Sequence, residues 1–182
     1  MTRFQSQVMY GLLILLTGAI IAFLSYNPSR TIQYVVAVGV FISAVFAFIT
    51  AAKNKNAEIR VKYHELQGAG MVAYALAILI YASTFEKFIT ITMAFLLYFG
   101  ITEIIFGFQL MQYKRKISMP VITLRMITGV LMAVGAVVIF SIAFLDKNMS
   151  LLVAGILIAL SGINFILFAN ATKDLVTTGQ QG

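Results

Sequence analysis

The chain has no cysteine, no tryptophan, a single histidine and two prolines in 182 residues. Without cysteine it can form neither a disulfide nor a thiolate metal site. With His64 alone, the pair His64-Glu65 cannot grow into an H-E-x-x-H zinc motif, which needs a second histidine one turn on. Without tryptophan, any aromatic belt at a membrane interface must come from the 8 tyrosines and 15 phenylalanines. Charge is scarce as well. Lys, Arg, Asp and Glu make up 10% of the chain, and only 6 residues are acidic. A water-soluble domain of this length needs a larger polar surface than that.

What fills the chain is apolar: 61% of it is hydrophobic, with a mean hydropathy of +0.97. Six runs approach the length of about 20 apolar residues that carries a helix across about 30 Å of hydrocarbon. They are 8–26, 32–52, 66–84, 88–112, 120–144 and 150–171. Membrane strands alternate in hydropathy and these runs do not, so strands are excluded. In lipid a helix pairs its own backbone groups. The run at 8–26 exceeds a signal-peptide core of about 7–15 residues and no A-x-A site follows it, so it is expected to be retained. The formal net charge of +7 fits membrane topology and anionic headgroups rather than nucleic acid.

The linkers alternate in kind. Asn27-Pro28-Ser29-Arg30, 83–87 and 146–149 are short turns, and Pro120 suits a first helical turn. The other connections are basic: Lys53, Lys55, Arg60 and Lys62, then Lys114, Arg115 and Lys116. With Arg3, Arg125 and Lys173 they put 10 of the 13 basic residues on one side, leaving Arg30, Lys87 and Lys147 on the other. The positive-inside rule then places both termini in the cytoplasm.

Similar segments recur about every 60 residues. Gly18-Ala19-Ile20-Ile21, Ala75-Leu76-Ala77-Ile78 and Gly135-Ala136-Val137-Val138 match in the odd helices; Ser43-Ala44-Val45, Phe99-Gly100-Ile101 and Ser161-Gly162-Ile163 match in the even ones. The expected fold is an all-α membrane protein: one domain over 1–182, six transmembrane helices in three tandem hairpin repeats near 8–55, 64–116 and 119–174, N-in and C-in. An even number of spans per copy gives every copy one orientation, unlike inverted transporter repeats.

This layout resembles the HdeD-like family of bacterial acid-resistance membrane proteins, whose unit is a short membrane repeat. A family copy runs as Gly, an apolar helix, a turn often bearing Pro, a second helix with Gly in its latter half, then basic residues. The copy beginning at Thr128-Gly129 fits those Gly positions best; the one beginning at Gly68 departs most, with Glu103 inside its second helix. The resemblance implies a bacterial inner-membrane location and a role in acid or envelope stress. It offers no catalytic residue and no cofactor.

Glu103 draws the most attention, because a carboxylate within a span is expensive and is a functional suspect by default. Gly100 and Gly107, at i−3 and i+4, share its face and let another helix come close. Counting from the basic loops, Glu103 precedes Lys114 by eleven residues, Arg125 follows Lys116 by nine and Asn164 precedes Lys173 by nine. A polar layer of Glu103, Arg125 and Asn164 is expected, which Thr102 and Ser161 could extend. It reads as a structural ion pair fixing helix register, or as a proton or ion site. A third reading sends Arg125 snorkelling to the interface.

His64 is expected at headgroup level, where protonation near about pH 6.5 would add charge beside Arg60 and Lys62. Small-residue stripes at Gly18/Ala22, Gly39/Ser43/Ala47, Ala69/Ala73/Ala77, Gly129/Ala133 and Gly155/Ala159 read as packing within one bundle, or as a dimer face. The G-x-G-x-x-A match at Gly68–Ala73 follows no strand and fails as a dinucleotide site. The expected function is non-catalytic, with the bilayer and a homo-oligomer or membrane partner as its contacts. The alternative is a small channel or proton/solute transporter using the polar layer.

Overall fold

The computed structural model describes residues 2–26, 30–53, 63–112, 117–143 and 146–173. These form six helices: α1 (Arg3–Leu24), α2 (Arg30–Lys53), α3 (Tyr63–Tyr81), α4 (Phe85–Met111), α5 (Met119–Ala143) and α6 (Lys147–Ala171). No strand occurs among the described residues. Residues 27–29 of the first expected turn lie outside them, as do Lys55, Arg60, Lys62, Lys114, Arg115 and Lys116.

Several helices start earlier than their apolar runs, because polar caps rather than hydropathy set their first turns. Thr2 caps α1, its hydroxyl accepting from the Gln5 amide at 3.2 Å while Gln5 Oε1 accepts from the Thr2 amide at 2.8 Å. Thr84 caps α4, so 85–87 are helix rather than turn. Asp146 caps α6 by accepting from the amides of Asn148 at 2.9 Å and Met149 at 3.1 Å, which makes 147–149 the helix's first turn. Pro120 sits in the first turn of α5, where its missing N–H leaves no bond unmade.

Five of the helices (all but α3) are long and apolar enough to cross a membrane. Helix α3 has 19 residues, and His64, Glu65 and Gln67 near its start dilute its apolar character. The outward faces are mainly apolar: Phe23 is 80% exposed, Ile80 66% and Val137 62%. Polar and charged side chains such as Gln67, Glu103 and Arg125 are buried. This inside-out distribution suits lipid as the solvent and marks a multi-pass membrane protein.

Each helix packs on its sequence neighbours, and α1 closes on α6, so the six form a ring. The most extensive contacts are α1 with α6, α4 with α5 and α2 with α3. Glycine makes the first two possible. A Cβ on Gly18 would lie 2.6 Å from the Gly155 carbonyl oxygen, and one on Gly162 would lie 2.6 Å from that of Gly11. On the other seam a Cβ on Gly100 would lie 2.6 Å from the Gly129 oxygen. Lipid supplies no hydrophobic drive between helices, so such close backbone contact is what holds them. The stripes through Gly18, Gly129 and Gly155 therefore serve packing inside the ring.

Candidate functional site

The α4–α5 seam builds the centre of the site. Gly129 lets α4 approach until its missing Cβ would lie 2.9 Å from the Cβ of Glu103. Arg125 is one turn before Gly129 on the same face of α5. The seam thus sets carboxylate and guanidinium side by side, both completely buried. Arg125 Nε donates to Glu103 Oε2 and Nη2 donates to Oε1, each at 2.9 Å. This two-pronged contact is the strong form of the Arg–carboxylate pair. Arg125 does not snorkel; it turns inward.

Three further helices join. From α3, Tyr63 donates its hydroxyl proton to Glu103 Oε1, and Gln67 Nε2 donates to the same oxygen at 2.7 Å. Arg125 Nη2 also donates to the Tyr63 hydroxyl. From α1, Tyr10 donates to Gln67 Oε1 at 2.7 Å. Every group reaching Glu103 is a donor, which is what an ionised carboxylate can accept. From α6 come rings. Arg125 Cζ lies 4.4 Å from the centroid of Phe168 and 5.3 Å from that of Phe165, with Phe106 of α4 at 4.6 Å and Tyr63 at 4.9 Å. Cation–π attraction to a desolvated guanidinium is worth about 2 kcal/mol or more. The rings also lock one another: Tyr63 stacks on Phe106 at 3.8 Å, and Tyr10 on Phe165 at 4.4 Å.

The other expected residues fall differently. Asn164 is 2% exposed, and neither of its amide atoms has a partner, so no hydrogen bond ties it to Glu103 or Arg125. Ser161 is buried with its hydroxyl unbonded. Thr102 turns back to the Phe99 carbonyl at 2.9 Å and stays out of the network. His64, in the first turn of α3, is only 2% exposed, edge-on to Tyr63 at 5.2 Å, with Nδ1 unbonded. Tyr10, Tyr63 and Gln67 are members that sequence reasoning passed over. Their signal was the polar face Tyr63–Gln67, one turn apart on the helix with the weakest apolar run.

Among the described residues no three of His, Asp and Glu gather as metal ligands. Set against known proteins, the chain matches no family model, no curated protein and no solved structure.

Proposed function

We propose that this is an integral protein of the bacterial cytoplasmic membrane, HdeD-like in layout, which serves acid or envelope stress tolerance without catalysis. In this reading all six helices cross the bilayer as three tandem hairpins, with both termini and the basic loops in the cytoplasm. The observation that carries it is the Glu103–Arg125 pair, buried, fully bonded on its carboxylate side and walled by four rings. Such a pair fixes which helices meet and at what height, as a rigid scaffold requires. The α4–α5 and α6–α1 seams, each joining the end of one hairpin to the start of another, favour the triplicated reading.

The test is acid survival of cells with and without the chain, and with Arg125→Met/Glu103→Leu, which removes the charges and keeps the bulk. Protection that persists in the double variant supports a scaffold role. No protection by the wild-type chain removes the stress reading. Topology is tested separately by placing single cysteines in this cysteine-free chain: Lys147→Cys should react with an impermeant maleimide from outside the cell and Lys53→Cys should not.

A second reading, a proton or solute path through the same layer, is favoured by the buried unbonded groups at Arg125 Nη1, Ser161 and Asn164. It predicts a flux in reconstituted vesicles that Glu103→Gln abolishes.

A further inference from the structure

Ser161 and Asn164 lie one turn apart on one face of α6, both 2% exposed, with the hydroxyl and both amide atoms unbonded. Their counterparts in the matching segments of the other even helices are not left so. Ser43 of α2 donates its hydroxyl to the Gly39 carbonyl at 2.7 Å, and Thr102 of α4 donates to that of Phe99 at 2.9 Å. Nearly all buried polar groups are bonded, and leaving one dry is expensive.

The other two helices also put a ring here. The places of Ser161 and Asn164 are held by Ser43 and Phe46 on α2, and by Phe99 and Thr102 on α4. Phe46 packs against the core and Phe99 lies within it. Helix α6 has a ring at neither place. Its Phe165 is drawn toward α1, where it stacks on Tyr10 at 4.4 Å.

Two contacts with α5 fix what the pair faces. On one side Leu157 fills the space beside Gly135, where a Cβ would collide with its side chain. On the other, the Phe168 ring lies 4.4 Å from Arg125 Cζ. Leu157, Ser161, Asn164 and Phe168 follow one another at helical spacing on one face of α6, as Gly135, Met132, Thr128 and Arg125 do on the antiparallel α5. Between the two contacts these faces run against each other, which sets Asn164 opposite Thr128 and Ser161 opposite Met132. Thr128 is 6% exposed and Met132 1%. The Thr128 hydroxyl donates to the Leu124 carbonyl at 2.8 Å, so its oxygen still accepts. Arg125 is matched by Glu103, and no other charged side chain is buried on α5 or α6 among the described residues. An ion placed here would go uncompensated.

We propose that Thr128, Ser161 and Asn164 line a pocket in the α5–α6 seam that holds a small uncharged hydroxylic guest, water or an alcohol. A hydroxyl both gives and takes hydrogen bonds, as do the amide and hydroxyl that face it. Such a pocket rests on the same residues as the path reading and names what they hold. A filled pocket in a chain that carries no flux would remove the path and leave the guest.

The test uses the purified full chain in bilayers of lipid with deuterated acyl chains. Solid-state NMR follows transfer of magnetisation from water protons to the Asn164 side-chain amide. Gln67 is the internal reference, because protein atoms bond both sides of its amide. Asn164 should receive the signal several-fold faster than Gln67. A second run in deuterated water adds ethylene glycol and follows transfer from its carbon-bound protons. Transfer in the second run identifies an alcohol site, and transfer in the first alone identifies water. Build-up at Asn164 as slow as at Gln67 in both runs overturns the proposal. Ser161→Phe and Asn164→Phe each install the ring that another helix carries at that place. At least one should keep the wild-type unfolding midpoint, and Ser161→Phe, if it is that one, should slow the transfer to Asn164. Midpoints lowered in both variants would show a seam already close-packed, and overturn the proposal as well.

Discussion

Tyr10 on α1 and Gln67 on α3 share a 2.7 Å hydrogen bond although 57 residues separate them. Neither helix is the other's neighbour in sequence, so the bond spans the middle of the ring. Gln67 passes the connection on: one side of its amide accepts from Tyr10 and the other donates to Glu103.

Tyr10→Phe keeps the ring that stacks on Phe165 and removes only the hydroxyl. Gln67 Oε1 then loses its donor in a dry interior. The expected loss is about 1 kcal/mol, at the modest end because bonds within membrane proteins average under that figure. Denaturant titration in detergent micelles checks it. A Tyr10→Phe chain as stable as wild type would show that a water takes over the acceptor.

Glu103→Gln should be the most damaging of the conservative changes. It leaves Arg125 charged and buried with no counter-charge, at a cost of about 3–5 kcal/mol. Removing both charges, as Glu103→Leu with Arg125→Met, should restore most of that stability, because the desolvation of two ions is relieved as well. Unfolding midpoints for wild type, both single variants and the double variant form the cycle. A loss in the double variant equal to the sum of the Glu103→Leu and Arg125→Met losses would mean the pair is not coupled.

Gly18→Ala should open the α1–α6 seam. The new Cβ meets the Gly155 carbonyl oxygen at 2.6 Å, and backbone cannot swing aside as a side chain can. Such overpacking costs about 1–3 kcal/mol. Ala69→Leu, on the exposed face of α3, is the matched control and should leave the midpoint where it is. The readout is thermal unfolding followed by near-ultraviolet dichroism, which the tyrosines supply.

Asp146→Ala should fray the start of α6 at a cost of about 1 kcal/mol, and Asp146→Asn should keep most of the cap. Amide exchange at Asn148 and Met149, whose N–H groups Asp146 now holds, reports this locally. Unchanged protection in the alanine variant would mean solvent or headgroups satisfy those amides equally well.

Hydropathy alone makes most of the architecture readable, since lipid leaves the helix as the one self-sufficient element for these runs. The starts of α4 and α6 were not readable that way; Thr84 and Asp146 look like turn residues, and capping is a contest between turn and helix that sequence leaves open. For the site, counting residues from the basic loops puts Glu103 and Arg125 at one depth. Counting gives height but no azimuth, so it could not tell that Asn164 makes no bond to them. Tyr10 and Tyr63 escaped notice because tyrosine near a span's end ordinarily belongs to the interface belt. Only the ring closure turns these two inward.

That closure joins α1 to α6, the earliest and the latest of these six helices to be made. Until α6 has left the ribosome, the glycine edge of α1 faces lipid with nothing to seat against, and Tyr10 has no Phe165 to rest on. Glu103 likewise enters the membrane before Arg125 exists to neutralise it. Assembly of this bundle therefore waits for α6, and a chain cut short before α6 would be left as an unlatched hoop for membrane quality control to clear.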